Sequence, residues 1–408
     1  MVKQKTYKNG LRLIVKPTDG AFSVSCGVLV GAGSRYETPE INGISHFIEH
    51  MMFKGTDKRS AFEISDAIDS IGGQINAFTT KETTCYYVKS TAEHTEEAVE
   101  VLSDLFFNST FEESEMNREK GVVIEEINMN EDTPDDLCMD LLSAAHFGTT
   151  GLGATILGPA ENVKNFQRAD LLAYMDRFYC PENVIVCFIG KISVQEAEEL
   201  TEKYFAENFK RGGFIAPKLE NNVLFGKKTV KKDIEQAHIC LAYKGCKYSD
   251  EDINYFNLLN TALGGGMSSV LFQKVREELG LAYSVYSYVS AYRDCGSLCV
   301  YAGVNPQKAD IALDCILGEI EKFKKNGLSS REFERAKEQI KGSFVFSQES
   351  GSSQMLLYAK YLLYTGNVFS FEKKIEDINA VTCDKLNAFI SAMDLENRSE
   401  ARVSKFEL

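Results

Sequence analysis

The sequence predicts an α+β protein made of two homologous α/β-roll domains, each a mostly antiparallel sheet packed with helices. Three observations carry this. The chain has 408 residues, more than one ordinary core encloses. Within each half, hairpin signals mix with helical periodicity instead of alternating strictly as strand and helix. The second half also repeats the first in order. His238-Ile-Cys-Leu-Ala-Tyr-Lys-Gly resembles Val24-Ser-Cys-Gly-Val-Leu-Val-Gly, and Ser297-Leu-Cys-Val-Tyr matches Cys85-Tyr-Tyr-Val-Lys. Glu332-Phe-Glu-Arg-Ala-Lys likewise matches Glu115-Met-Asn-Arg-Glu-Lys, all at similar offsets.

The elements follow in chain order. Asn9-Gly10 signals a type I′ hairpin turn between Lys5-Thr6-Tyr7 and Leu11 to Val15. A third strand fits Ser23 to Val30, and helices fit Gly43 to Lys54 and Ala61 to Ile71, the second stopped by Gly72-Gly73. Strands then fit Gln74 to Thr80 and Thr84 to Ser90, and helices Glu96 to Phe107 and Glu112 to Asn130. The polar, Gly-containing stretch 210–222 is the expected linker, between a first domain at 1–209 and a second at 223–408.

Composition narrows the function. A formal charge of −14 disfavours nucleic acid, because phosphate binding needs a basic footprint. No window has the roughly 18 uninterrupted apolar residues of a membrane span. Many of the 11 cysteines lie in apolar runs, none forms a Cys-x-x-Cys pair, and the polar N-terminal segment does not read as a signal peptide. Reduced thiols and a cytoplasmic location are the expectation.

The sharpest feature is His46-Phe47-Ile48-Glu49-His50. At 100° per residue, His46, Glu49 and His50 share one arc, while Ile44, Phe47, Ile48, Met51 and Met52 share the opposite one. Two imidazoles at i and i+4 can reach one zinc ion, and a carboxylate between them can take a proton from water that zinc has acidified. A catalytic zinc needs a third protein ligand. Glu119 and Glu126, two helical turns apart, both qualify, and spacing does not choose between them. Aligning the halves pairs Glu119 with Ala336 and Glu126 with Ser343, so the metal chemistry belongs to the first copy alone. The acidic residues Glu131, Asp132, Asp135, Asp136 and Asp140 read either as a wall selecting basic side chains or as a solvated loop broken by Pro134.

His-x-x-Glu-His in this setting resembles the inverted zinc motif of the pitrilysin and insulinase peptidases. The resemblance extends through Asn76-Ala77-Phe78-Thr79, the paired Glu119 and Glu126, Leu263-Gly-Gly-Gly-Met-Ser-Ser, and Arg276 with Tyr283. It covers essentially the whole chain, and its size resembles the subunits of mitochondrial processing peptidase and its bacterial homologues. It implies one zinc per chain on His46, His50 and Glu126, Glu49 as general base, and Glu119 as a supporting carboxylate. Asn76, Ala77 and Phe78 would lie on a substrate-holding edge strand, with Gly264, Gly265 and Gly266 in a glycine-rich loop. Arg276 and Tyr283 would reach substrate or oxyanion at a partner's zinc site. The implied activity is that of a zinc endopeptidase acting on peptides inside a dimeric clam shell. Because one chain carries both the zinc motif and the glycine-rich loop, a homodimer is the simpler expectation, with a heterodimer as the alternative. Two rivals are a catalytically silent scaffold subunit and a zinc hydrolase acting on a non-peptide substrate.

Overall fold

The computed structural model describes residues 2–209, 212–219 and 223–406, so part of the expected linker, residues 210, 211 and 220–222, lies outside the described residues. Two compact units are present. One comprises Met1–Ile127, Thr155–Lys218 and Ser347–Phe369; the other comprises Asn128–Ala154, Leu219–Phe346 and Ser370–Leu408. Each holds one mixed, mostly antiparallel sheet packed with helices, as the sequence predicts.

In the first unit the strands are β1 (Lys3–Thr6), β2 (Arg12–Pro17), β3 (Ser23–Val30), β4 (Gln74–Thr79), β5 (Thr84–Thr91) and β6 (Val184–Gly190). Their spatial order is β1-β2-β6-β3-β5-β4, with only β2 and β6 parallel. Helices α1 (Ile44–Met52), α2 (Ala61–Asp69) and α3 (Thr95–Asn108) lie between or after these strands. Then come α4 (Glu113–Asp132), α5 (Pro134–Phe147), α6 (Ala160–Asn165), α7 (Arg168–Phe178) and α8 (Val194–Thr201). The second sheet contains β7 (Lys227–Lys231), β8 (Ala237–Lys244), β9 (Ala282–Ala291), β10 (Gly296–Val304) and β11 (Ser399–Ser404). The remaining helices are α9 (Ile253–Leu263), α10 (Ala309–Asn326), α11 (Ser330–Ser347), α12 (Gly351–Thr365), α13 (Phe371–Ala380) and α14 (Cys383–Ala392).

The order of the second sheet, β7-β11-β8-β10-β9, is the order of the first without its outermost β1, and β11 and β7 form the matching parallel pair. The repeat read from sequence is therefore a repeat of topology: β3 corresponds to β8, and β5 to β10. β3 and β8 are central and covered on both faces, so they are buried along nearly their whole length, and their residues are mostly small or apolar.

The units also exchange helices along the sequence. α12, from the second half, packs on β3 and β6 of the first sheet, and α5, from the first half, packs on β8 and β11 of the second. Gly27 makes room for α12: a Cβ there would lie 2.1 Å from the Met355 sulfur. On the other sheet Cys138 and Leu142 of α5 bury against Cys240, Ala242, Ala401 and Val403.

Two local expectations are corrected. The first turn is not type I′. Tyr7 C=O accepts from Gly10 N–H at 2.9 Å, Tyr7 N–H reaches Leu11 C=O at 2.8 Å, and only Gly10 has positive φ, at 92°. This is a three-residue connection closed by a left-handed glycine, which absorbs the strand twist that type I′ would supply. The acidic stretch is not a loop. Glu131 and Asp132 close α4, and Pro134 opens α5, where it has no use for a missing N–H.

His146, on α5, is buried; its Nδ1 lies 2.9 Å from Ser399 Oγ and its Nε2 has no hydrogen-bond partner among the described residues. Burial pushes its pKa down from 6.5 to about 4. The folded form therefore holds the neutral ring while the unfolded chain binds a proton below pH 6.5. The stability contribution is intact above 6.5 and is lost as pH falls toward 4, by about 3 kcal/mol. His146→Asn, which keeps a donor for Ser399, is expected to flatten the fall in thermal midpoint between pH 7 and pH 5. An unchanged slope in melts followed by circular dichroism would contradict the assignment.

Candidate metal centre and active site

α1 starts at Gly43, whose φ of +100° leads directly into the helix. Its first N–H groups are met by a buried carboxylate. Glu37 Oε2 accepts from Gly43 N–H at 2.7 Å and Asn42 Nδ2 at 2.8 Å, and Oε1 accepts from Ser45 N–H at 2.8 Å. Burial raises the Glu37 pKa, while these hydrogen bonds pull against it. An anion at a helix N-terminus satisfies orphan donors and opposes the helix dipole. Ile44, Phe47, Ile48, Met51 and Met52 are all fully buried, so the opposite arc, with His46, Glu49 and His50, is turned away from the core.

α4 brings the carboxylates. Glu126 Oε2 lies 3.3 Å from His50 Nε2 and 3.6 Å from His46 Nε2. One ligand atom each from His46, His50 and Glu126 falls within 4.8 Å of the others, a group that could hold one metal ion. Glu119, only 5% exposed, is not part of that group. Its Oε1 instead contacts His50 Nδ1 at 2.8 Å, and its Oε2 pairs with Lys54 Nζ at 2.7 Å. That contact fixes the His50 ring and leaves Nε2 facing Glu126, the arrangement an imidazole ligand needs.

The electrostatics agree with a cation site. His46, 7% exposed, is pushed down to about 4 by burial, with His50 adding to the effect and Glu126 opposing it, so it is neutral at physiological pH. For His50, burial acts downward but hydrogen bonds to Glu119 and Glu126 outweigh it and raise the pKa to about 9. A proton on His50 thus stands in for the positive charge the carboxylates call for. Burial opposes ionisation of Glu119, but His50 and Lys54 hold its pKa low; the His50 contact does the same for Glu126. Two imidazoles and a carboxylate converging in this way suit zinc, whose catalytic sites take three protein ligands of these types.

Glu49 is held separately. Its Oε2 accepts from Thr79 Oγ1 at 2.6 Å. Burial raises its pKa, with Thr79 pulling the other way. Thr79 is the last residue of β4, the outermost strand of its sheet. Asn76, Ala77 and Phe78 lie on the same strand. The Ala77 N–H donates to Asn76 Oδ1 at 2.8 Å, and Phe78 leans on Tyr87 with ring centroids 6.4 Å apart.

The remaining sequence candidates lie in the second unit. Gly264 and Gly265 follow α9, and each has a packing reason. A Cβ on Gly264 would sit 2.5 Å from Ser287 N, and one on Gly265 2.7 Å from Thr261 Cα, whereas at Gly266 the nearest atom is 3.4 Å away. Arg276 is half-exposed, lies over the Phe272 ring at 4.7 Å, and comes no closer than 3.8 Å to Glu277. Tyr283, at the start of edge strand β9, is 76% exposed.

Sequence reasoning passed over three residues. Lys54 lies four positions after His50, a spacing that could have flagged it. Thr79 stood in the quoted motif without a role, and pleat alternation puts it on the same side as Ala77, toward α1. Glu37 has no local signal, because its function depends on the chain turning back over the helix start.

The chain matches the family model described as insulinase (peptidase family M16) over residues 13–160 and that of the M16 inactive domain over 165–340. It is 44% identical over 407 residues to a Bacillus subtilis protein named as an uncharacterized zinc protease, YmxG, covering 99% of this chain and 98% of the relative. A Streptomyces coelicolor protein so named is 37% identical, over 95% of this chain and 86% of its own length. Among solved structures, a Helicobacter pylori protease superposes with a TM-score of 0.93 at 23% identity, over 99% of both chains, a likeness of fold. Taken with the His46–His50–Glu126 group, these matches assign the chain to the insulinase family, peptidase family M16, and make it a zinc protease.

Proposed function

We propose that this protease is an endopeptidase that cuts peptides or unfolded polypeptide segments laid along β4, with His46, His50 and Glu126 holding one zinc ion and Glu49 moving the protons. The observation that carries this reading is the Thr79–Glu49 hydrogen bond of 2.6 Å. It ties the proton-accepting carboxylate to the strand whose outer edge is unpaired among the described residues. A peptide added there gains main-chain hydrogen bonds and brings a backbone amide toward the carboxylate.

Zinc bound at the three ligands supplies a Lewis acid for the scissile carbonyl and lowers the pKa of water toward about 7. Glu49 accepts the proton of the attacking water on the oxygen that Thr79 does not engage, then delivers it to the leaving amine nitrogen. Glu119 holds the His50 ring and Lys54 holds Glu119. Asn76 releases the Ala77 N–H to the substrate backbone. The exposed Tyr283 and the weakly paired Arg276 contact substrate or oxyanion, and the loop of Gly264, Gly265 and Gly266 contacts the substrate as well. In this reading they act on a partner's zinc site, in a homodimer that encloses the peptide in a chamber; a related second chain in a heterodimer would serve the same geometry. The eleven cysteines are free thiols, most of them buried, which supports the proposed cytoplasmic location. Among the described residues no helix is long and apolar enough to cross a membrane.

The test is zinc content together with cleavage of a mixed peptide library. About one zinc per chain and internal cleavage are expected. Glu49→Gln is expected to keep zinc and the melting profile while kcat falls by about 100-fold or more; near-normal turnover would remove Glu49 from the mechanism.

Glu119→Gln frees the His50 ring and leaves Lys54 without its carboxylate. Zinc affinity is expected to drop about 10- to 100-fold, as read by competition with a chromogenic chelator.

Thr79→Val keeps the shape and removes the hydroxyl. It is expected to lower kcat about tenfold at nearly constant KM and zinc content, with Thr79→Ser restoring the rate. Equal kcat in the Val and Ser variants would mean that Glu49 needs no anchor.

A further inference from the structure

The second unit contains a cavity of about 630 Å³ unrelated to the zinc chemistry, between β8, the end of α10, the last residues of α14 and the segment leading into β11. Its polar lining includes Tyr243, Lys324 and Arg398, with the more exposed Glu321, Lys325, Ser391 and Glu396 at the rim.

Two of its donors have no acceptor among the described residues. Tyr243 is 0% exposed, yet its hydroxyl has no hydrogen-bond partner there, and the Arg398 Nε–H is buried and likewise unpaired. An unmet buried polar group costs roughly 1–3 kcal/mol, more when charged, so a fold seldom keeps two in the lining of one cavity for no purpose. Arg398 makes no ion pair among the described residues. Glu400, two positions further on, is taken by Lys227 at 3.0 Å and Arg402 at 2.5 Å. Tyr243 is held neutral, because burial pushes its hydroxyl up to about 12 against the pull of the Arg398 guanidinium. It therefore remains a donor at physiological pH. Lys324 adds positive charge, though its position in the last turn of α10, near Asp394, accounts for part of its placement.

We propose that this cavity is a binding site for the carboxylate or phosphoryl group of a small organic anion, received by the Arg398 guanidinium and the Tyr243 hydroxyl. The guanidinium fork matches the oxygens of either group, and an acceptor placed between it and the phenol satisfies both orphan donors at once. The volume exceeds what a bare anion fills, leaving room for an organic body against Leu317, Ile320 and Leu395. The proposal is independent of the peptidase mechanism.

The experiment is calorimetric titration of the zinc-loaded protein with inorganic phosphate and, separately, with succinate, at constant ionic strength maintained with chloride. Wild type is compared with Tyr243→Phe and Arg398→Met. Any binding at zinc is common to all three proteins and cancels in the comparison. Saturable binding is expected for at least one probe, weakened about tenfold in Tyr243→Phe and further in Arg398→Met. Binding of phosphate alone assigns a phosphoryl ligand, succinate alone a carboxylate, and both the shared anion chemistry. Absence of binding by either probe, or unaltered binding in Tyr243→Phe, overturns the proposal and leaves water as the occupant of the two donors. Should Arg398→Met fail to fold, the Tyr243→Phe comparison decides alone, since it removes only one hydroxyl.

Discussion

The active site depends on how α1 is turned about its own axis. A helix with five fully buried side chains on one arc has a single rotational setting, because turning it by one residue position would drive an imidazole into the core and an isoleucine or methionine into water. Glu37 adds the longitudinal constraint. Its carboxylate holds the first N–H groups of the helix, so α1 can neither slide nor fray at the end nearest His46. With both constraints in place, α4 need only present two carboxylates two turns apart, and the donor set assembles from rigid elements rather than loops.

The charges follow from that geometry. His46 and His50 are close, with ring centroids 4.6 Å apart, and both cannot be protonated comfortably. Burial settles His46 as neutral, while the contacts with Glu119 and Glu126 make His50 the basic member. The two rings are chemically distinct before any metal arrives, and Lys54 keeps Glu119 from adding an uncompensated negative charge. His46, His50 and Glu126 would hold a divalent ion here, and its charge would replace the proton that His50 otherwise carries between the carboxylates.

Much of this was legible in the sequence, for a physical reason. Helical periodicity separates the buried arc of α1 from its functional arc, and the same arithmetic puts Glu119 and Glu126 on one face of α4. Periodicity could not choose between those two, since choosing requires knowing where α4 crosses α1. The structure supplies it: Glu126 sits opposite both Nε2 atoms and Glu119 reaches only Nδ1 of His50. Partners distant in sequence were illegible for the same reason. Glu37 meets α1 through a turn of the chain, and Thr79 meets Glu49 across thirty positions. The acidic stretch misled because a proline between acidic residues reads as a break, whereas here it is the first residue of the next helix.

The duplicated topology explains why only one copy carries the metal. The second copy repeats the strand order and the paired helices, but Ala336 and Ser343 occupy the places on α11 that the sequence alignment gives to Glu119 and Glu126. Ala336 is buried in the apolar core of its unit, where a carboxylate without a histidine and a lysine beside it would bear an unrelieved desolvation cost. Relieved of metal chemistry, the second copy is free to diverge in its loops, and the glycine run shows the form this takes: Gly264 and Gly265 allow the chain to run against β9 and α9 where any side chain would collide. Exchange of α5 and α12 constrains that divergence. Each sheet is completed by a helix encoded in the other half of the sequence, so a change in the packing face of either helix is felt by the sheet of the opposite copy, and the two halves must evolve as one folding unit.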